Sequence, residues 1–167
     1  MAQERLYQCY FEDAYRTCNR YLSQHADVLA VINDGFFKVF QKLDTYDATL
    51  GSLGGWIHRI MMRCAIDHLR RENRLGLVTL PCETHAEALS VSNEAFADLA
   101  VEELLMLVKG LPVTTRLVFN MSVMEGYSHR EIAQELGMTE STSRWHLAEA
   151  RKQLQELITR KEKMVSA

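Results

Sequence analysis

Residues 126–155 read GYSHREIAQELGMTESTSRWHLAEARKQLQ, and this stretch decides the fold of the second half of the chain. Ser128 and Glu131 have the spacing of a capping box, which predicts a helix that begins at Ser128. Gly137 can take the left-handed conformation that ends a helix, and Thr139 can cap the next one. The pattern therefore predicts two helices joined by a tight turn, which is the arrangement of a helix-turn-helix.

The second of these helices has one apolar face and one polar face. Four residues recur at helical spacing and share the inner face: Ser143, Leu147, Ala150 and Leu154. Six others are left outward: Glu140, Ser141, Arg144, Trp145, Arg151 and Lys152. A short helix, a glycine turn and a polar helix with arginines are typical of a unit that lays its second helix in the major groove of DNA. A plain helical hairpin is the alternative, but the capping box, the small Ala133 and the outward arginines agree with DNA binding.

The remainder of the chain is typical of an all-α protein. Glycine and proline account for only 8 and 2 of the 167 residues, which argues against a turn-rich β-fold. In the first half, apolar residues at helical spacing predict three helices, over residues 3–24, 28–43 and 56–69. The glycines of residues 44–55 predict a loop before the third helix. In the second half, two more helices are predicted, from Phe96 to near Gly110 and from Pro112 to about Val123.

Charge is distributed unevenly along the sequence, although the net charge is only −3. Five arginines fall between residues 56 and 74, no Lys or Arg occurs from 75 to 108, and the C-terminal stretch is basic again. This order suggests two anion-binding surfaces joined by an acidic connector, whereas any single charge is better explained by a solvated helix face. We therefore predict two small helical domains, residues 1–74 and 94–163, joined by a flexible linker over residues 75–93.

The cysteines and the hydropathy pattern indicate the compartment. Cys9, Cys18, Cys64 and Cys82 form no Cys-x-x-Cys pair, so we expect four buried, reduced thiols rather than disulfides or a zinc site. No signal peptide and no apolar run of membrane-spanning length is visible. The expectation is a cytoplasmic protein that is not inserted in a membrane and needs no metal or other cofactor.

Residues Leu111 to Leu154 resemble the sigma-four domain of the extracytoplasmic-function (ECF) subfamily of sigma-70 type RNA polymerase sigma factors. The matching segments are Leu111-Pro112, Arg116 to Phe119, Glu125 to Ser128, Glu131 to Ala133, Leu136-Gly137 and Ala150-Arg151. In the first half, Asn33 to Phe40 looks like the family's core-binding segment. Trp56 to Ile60 and Ala65 to Arg71 look like its promoter-melting helix. The resemblance extends from about Leu6 to Leu157.

The resemblance implies a sigma-two-like domain, a sigma-four-like domain and three binding sites. Core RNA polymerase would contact Asp34, Phe37, Lys38 and Gln41. Phe37 is an outward aromatic suited to an interface, and packing at the edge of the domain is the equal alternative for it. A pocket in the loop from Asp47 to Gly54 would bind a base of the minus-ten element. The separated DNA strand would run along Trp56, His58, Arg59, Arg63, Arg70, Arg71 and Arg74. We expect His58 and Arg59 to lie off the apolar face, Trp56 to belong to the core, and Asp67 to orient a neighbouring arginine.

The minus-thirty-five element would meet Ser141, Thr142, Arg144, Trp145, Arg151 and Lys152. Arg144 is the first choice for a base contact, and the other cations suit phosphates. The implied partners are core RNA polymerase, promoter DNA and an anti-sigma factor. The chain departs from the family pattern at Ala30, Asn33, Asp34, Arg63, Ser143, Trp145 and His146.

Two other classes of function compete with this interpretation. A helix-turn-helix regulator that is not a polymerase subunit explains residues 111–155 but leaves the arginine-rich helix and the acidic connector unexplained. A helical-bundle enzyme is disfavoured because His58 and His68 are not at ligand spacing on one helical face and no nucleophile or phosphate-loop motif occurs. We therefore do not expect this chain to be an enzyme.

Overall fold

The computed structural model describes residues 2–72 and 101–165, and every regular element within these two ranges is helical. The chain divides into two compact units, Met1–Leu75 and Gly76–Ala167. The all-α prediction is therefore confirmed for the described residues. The predicted linker at residues 75–93, together with Arg74, Cys82 and the beginning of the helix predicted from Phe96, lies outside them.

The first unit packs three helices, α1 (Ala2–Tyr21), α2 (His25–Lys42) and α3 (Leu53–Arg71), in mutual contact. Its core is apolar and contains Tyr21, Leu22, Ile32, Phe36, Met61, Ile66 and Leu69, each at most 2% exposed. The apolar stripe predicted over residues 28–43 is confirmed as far as residue 39, because Val28, Val31, Ile32, Gly35, Phe36 and Val39 are buried. Phe40 is half-buried, and Leu43 follows the end of α2 and is 41% exposed, so the prediction is wrong at that end. Burial of this stripe against the other two helices is the main source of stability in the unit.

The segment predicted as a loop is partly helical. Two short 3-10 turns, Leu43–Thr45 and Ala48–Leu50, lie in this segment, and α3 begins at Leu53 rather than Trp56. The helix begins early because the Ser52 hydroxyl accepts a hydrogen bond from the Gly55 amide at 3.1 Å and so caps it. The glycines therefore belong to a capped helix start as well as to a turn.

One cysteine prediction is wrong. Cys18 and Cys64 are buried, but Cys9 is exposed. Nine residues separate Cys9 from Cys18, which is two and a half helical turns, so the two thiols emerge on opposite faces of α1. Burial, with a smaller effect of the nearby Cys64, raises the pKa of Cys18 to about 12, which leaves that thiol protonated and unreactive at neutral pH.

The second unit contains α4 (Val101–Lys109), α5 (Val113–Phe119), α6 (His129–Leu136) and the long α7 (Glu140–Val165). Pro112 precedes α5 as predicted, and α5 continues as a wider π-helical turn over Asn120–Met124. The core is formed by Leu117, Met121, Ile132, Ala150 and Leu154, all fully buried. The inner face predicted for the recognition helix is confirmed, because Ser143, Leu147, Ala150 and Leu154 are all buried.

The turn between α6 and α7 follows the predicted chemistry residue by residue. The Ser128 amide donates to the Glu131 carboxylate at 2.8 Å, while the Ser128 hydroxyl accepts from the Glu131 amide at 3.3 Å. Gly137 has φ 69° and ψ 38°, which is the left-handed conformation. The Thr139 hydroxyl then accepts from the Thr142 amide at 3.1 Å and caps α7. Sequence chemistry alone therefore fixes where α6 ends and α7 begins.

The left-handed turn predicts how substitutions at Gly137 rank. Alanine at this position puts a Cβ into the left-handed region and is expected to destabilise the second unit by about 1–2 kcal/mol. Asparagine tolerates that region, so Gly137→Asn is the matched control and should cost less than Gly137→Ala. Urea unfolding followed by the fluorescence of Trp145, in a Trp56→Phe background, measures both. Equal losses for the two variants would contradict the turn geometry.

Candidate nucleic-acid interfaces

The outward face of α7 begins with a cluster of hydroxyl groups. The Thr139 hydroxyl lies 2.8 Å from the hydroxyls of both Ser141 and Thr142. Ser141 is exposed and Thr142 is half-buried, so both lie at the surface of the first turn. The arrangement places polar groups where the sequence predicted phosphate contacts.

Arg144 is exposed and forms an ion pair within its own helix. Its Nη2 atom lies 2.8 Å from Oε2 of Glu140, one turn earlier. An exposed pair of this kind contributes only about 0.3–0.5 kcal/mol, so a stronger anion can displace the carboxylate. The guanidinium is therefore held along the helix surface and is available to a base edge or phosphate.

Arg151 lies seven residues after Arg144, close to two full turns, and so falls on nearly the same face of α7. Arg151 is half-buried and Lys152 is exposed. Arg144 and Arg151 thus follow one side of α7 from its first turns into its middle, and Lys152 lies about a quarter turn around the helix from them.

Trp145 and His146 have separate positions in the unit. The Trp145 side chain is half-buried, and its ring meets that of His146 edge-on at a centroid distance of 4.9 Å. His146 is 3% exposed, and its Nδ1 atom lies 3.0 Å from the hydroxyl of Thr115 on α5. His146, one of the departures from the family pattern, therefore fixes α7 to α5, while Trp145 remains at the surface.

The sequence prediction missed His129. It is the first residue of α6, and its Nδ1 atom lies 2.9 Å from the hydroxyl of Ser143 on α7. This hydrogen bond accounts for the departure from the family pattern at Ser143, a serine on the buried face of α7. The available signal was this polar residue on an apolar face, together with a histidine at the start of the adjoining helix.

In the first unit, the outer face of α3 carries the predicted arginines. Arg59, Arg63, Arg70 and Arg71 are all exposed. Arg70 lies 3.2 Å from the carboxylate of Asp67, so the prediction that Asp67 orients a neighbouring arginine is confirmed. The face therefore presents several cations along one side of a rigid helix.

His58 does not lie off the apolar face as predicted. It is half-buried, and its Nδ1 atom lies 3.0 Å from the hydroxyl of the buried Thr17 on α1. Residue 58 follows the buried Ile57 directly and therefore sits at the edge of the packed face, within reach of α1. Its hydrogen bond fixes α3 to α1.

The loop before α3 is cross-braced. The Tyr46 hydroxyl donates to the Gly51 carbonyl at 3.0 Å, and the Tyr46 ring lies 5.7 Å from the ring of Trp56. Hydrogen bonds from the hydroxyl and amide of Thr49 lower the pKa of Asp47. Leu50 is 82% exposed at the tip. Trp56 is half-buried, so it is neither a full core residue nor a free stacking platform.

The exposed side of α2 lies beside the C-terminal part of α3. Phe37 is 63% exposed, which confirms that it points outward, and Asp34 and Gln41 are exposed as well. Asp34 lies 3.7 Å from Arg71, and Lys38 lies 4.0 Å from Asp67. The residues predicted to meet polymerase therefore adjoin the residues predicted to meet DNA within a single unit.

Among residues 2–72 and 101–165, no group of three or more His, Cys, Asp or Glu side chains is arranged to hold a metal ion. In the same ranges, no helix has both the length and the apolar character needed to cross a membrane.

Comparison with known proteins identifies both units. Residues 6–75 match the family model of sigma-70 region 2, and residues 101–154 match that of sigma-70 region 4. The ECF RNA polymerase sigma factor SigE of Mycolicibacterium smegmatis is 25% identical over 154 residues, which is 87% of this chain and 57% of that protein. SigM of Mycobacterium tuberculosis is 33% identical over 113 residues, or 68% of this chain and 54% of that protein. The chain thus spans little more than half the length of these curated relatives.

A solved structure shows the same fold. It is the sigma factor RpoE in complex with the anti-sigma factor NepR from Bartonella quintana. The TM-score is 0.57 and the sequence identity 16%, and the match covers 93% of this chain and 96% of that one. At this identity the likeness concerns the fold alone.

The two interhelical histidines of the second unit predict a pH dependence of its stability. Burial is the main cause that lowers the pKa of both His129 and His146 below the ordinary 6.5. Below pH 6.5 the unfolded chain therefore binds more protons than the folded one, so stability that is present above this pH is lost as the pH falls further. Thermal unfolding of the Trp56→Phe protein, followed by Trp145 fluorescence, should show a falling Tm from pH 7.5 to 5.5.

His146→Gln cannot titrate and should show a flatter dependence of Tm on pH, whatever its absolute stability. His25→Gln changes an exposed histidine of the first unit and serves as the control. A slope that is the same in wild type, His146→Gln and His129→Gln would contradict the assignment.

Proposed function

The chain belongs to the ECF subfamily of the sigma-70 family, and from this premise we propose that it binds core RNA polymerase and directs promoter-specific initiation of transcription. In this proposal residues 1–74 bind polymerase and the minus-ten element, and residues 94–163 bind the minus-thirty-five element. Residues 75–93 connect them. The chain works in the cytoplasm, where RNA polymerase acts.

One observation carries the proposal, namely the combination of two different exposed cationic surfaces in one chain. The helix-turn-helix presents Arg144 on a capped, rigid α7. The other unit presents four exposed arginines on α3 and an exposed aromatic on α2. A regulator that only binds duplex DNA needs the first surface and has no use for the second.

At the minus-thirty-five element, α7 enters the major groove by its N-terminal part. Arg144 leaves Glu140 and reads a base edge, because it lies in the turns that reach furthest into the groove in docked helix-turn-helix proteins. Ser141, Thr142 and Trp145 border the groove. Arg151 and Lys152 lie further along α7 and contact phosphates.

At the minus-ten element, α3 follows the separated strand. The braced loop from Asp47 to Gly54 receives a base that has left the stack, which requires a preformed pocket. Arg59, Arg63, Arg70 and Arg71 neutralise phosphates along the helix, and we assign the same role to Arg74, which lies outside the described residues. Trp56 and Tyr46 stabilise the loop through the contact between their rings. His58 fixes α3 against α1 and so contributes to DNA binding through the position of α3.

Polymerase docks on the exposed side of α2. An aromatic that is 63% exposed on a rigid helix gains the most from burial in a partner, and Asp34, Lys38 and Gln41 surround it with polar groups. Such a surface also suits competition between partners. We therefore include an anti-sigma factor among the partners of this chain, by analogy with the Bartonella sigma factor whose structure contains one.

The α2 surface gives the test of polymerase binding. Asp34→Arg together with Phe37→Ala should reduce co-purification with core RNA polymerase at least tenfold, because truncation of one interface anchor costs about 2 kcal/mol or more. Glu12→Arg, a charge reversal at an exposed residue of α1, is the matched control and should leave binding unchanged. Circular dichroism checks that both variants remain folded. Wild-type binding by the double variant would contradict the α2 assignment.

The α7 surface gives the test of DNA recognition. Arg144→Ala should lose about 1–3 kcal/mol of binding free energy on the preferred promoter, and it should discriminate less between bases at one base pair. Arg151→Ala should weaken binding to all DNA sequences alike. It should also lower the slope of log affinity against log salt concentration by about one unit. Arg160→Ala removes the same charge further along α7 and is the control. Holoenzyme binding to matched and mismatched promoters across a salt series distinguishes the three, and an equal loss on every promoter for Arg144→Ala would exclude Arg144 as a base reader.

A further inference from the structure

We propose that His129 is a further DNA-contacting residue of the helix-turn-helix, and that it makes duplex binding tighter below neutral pH. The inference rests on the proposed function, because it concerns the surface of α6 and α7 that faces the phosphates. It adds a residue and a pH response that the match to the family does not supply.

The position of His129 relative to α7 is the first step. The Nδ1 atom of His129 lies 2.9 Å from the hydroxyl of Ser143, the residue that directly precedes Arg144. His129 is half-buried, so part of its ring remains open to solvent. The imidazole is therefore fixed at the seam between α6 and α7, next to the arginine proposed to read a base.

The charged groups around His129 are the second step. From α7, Arg144 and Arg151 act on the ring as cations and Glu140 acts as an anion. On α6 itself, Glu131 is engaged by the amide and hydroxyl of Ser128. Arg144 and Arg151 are two of the cations assigned to DNA, so the imidazole lies in the same field that attracts the phosphates.

Protonation of the His129 ring is disfavoured in the free chain. Burial lowers the pKa of His129 most, Arg144 and Arg151 lower it further, and Glu140 partly opposes them. At neutral pH the ring is therefore uncharged and its hydrogen bond with Ser143 is undisturbed. The cluster carries fewer positive charges than its residues can supply.

Bound DNA opposes the effect that Arg144 and Arg151 have on the pKa of His129. Phosphates near Arg144 and Arg151 bring negative charge to the place where the two guanidinium groups repel a proton on His129. The pKa of His129 is therefore higher in the complex than in the free chain, and DNA binding is coupled to proton uptake. By reciprocity, protonation of His129 tightens binding, so the affinity rises as the pH falls through this range.

Fluorescence anisotropy of the full chain with a fluorescein-labelled mixed-sequence DNA duplex of about 20 base pairs tests the inference. A phosphate-directed effect needs no particular promoter. Measured at constant, low ionic strength, wild type should bind roughly threefold to tenfold more tightly at about pH 5.8 than at about pH 7.5, since one unit of pKa change corresponds to tenfold in affinity. Circular dichroism at both pH values verifies that the chain is folded.

Three variants separate His129 from the other five histidines. His129→Gln keeps a polar group beside Ser143 but cannot titrate, so it should lose most of the pH response. His129→Lys carries a fixed cation and should bind at pH 7.5 about as tightly as wild type does at pH 5.8. His25→Gln is the matched control, because His25 is also a histidine bonded to a hydroxyl, that of Tyr15 at 3.2 Å, but belongs to α2. It should keep the wild-type response.

Titration of His129 by NMR, with and without the duplex, gives a readout independent of affinity. A pKa that rises when the duplex is added supports the inference. An unchanged pH response in His129→Gln, or a pKa that does not rise, overturns it and leaves DNA binding by α7 in place. Failure of wild type to bind the duplex at either pH overturns both the inference and the proposed helix-turn-helix function.

Discussion

The left-handed turn at Gly137 is the constraint on which the DNA-binding unit depends. The capping box at Ser128 fixes where α6 begins, and Gly137 and Thr139 together fix where α7 starts. Because the turn leaves no freedom in the direction of α7, the inner face of that helix must fit α5 and α6. It does so through apolar residues and two polar bonds, from His146 to Thr115 and from Ser143 to His129. The fold of the unit therefore depends on the inner face of α7 and not on its outer face.

The first unit is under a different constraint, because in the proposed function it presents two surfaces on one small bundle. Gly35 of α2 faces the side chain of Met61 so closely that a Cβ would overlap it, which brings α2 and α3 together. The close approach places Asp34 beside Arg71 and Lys38 beside Asp67. Exposed ion pairs of this kind contribute little stability, about 0–1 kcal/mol each. Their importance is positional, since they join the proposed polymerase face to the proposed DNA face.

Local signals in the sequence predicted most of the fold. The helical spacing of apolar residues and the capping residues predicted the helices of both units, since Ser128, Gly137 and Thr139 act on their immediate neighbours. The errors concern the helix face on which a residue lies and the contacts between residues that are distant in sequence. Cys9 was assigned to the wrong face because a half turn was not counted, and His58 was taken as outward because its partner, Thr17, lies 41 residues away. His129 was missed for the same reason, since its role depends on Ser143 across a turn. The roles given to individual arginines at the promoter remain predictions.

Run-off transcription tests the central claim most directly. The full chain is added to purified core RNA polymerase and a library of promoter fragments, and the transcripts are sequenced. The account predicts transcripts that depend on the chain and start from a restricted set of fragments sharing two short elements at fixed spacing, because two separate units read DNA while attached to one polymerase. Transcription that is absent or unselective, from a chain that still binds duplex DNA, would contradict the account and favour a helix-turn-helix regulator that is not a polymerase subunit.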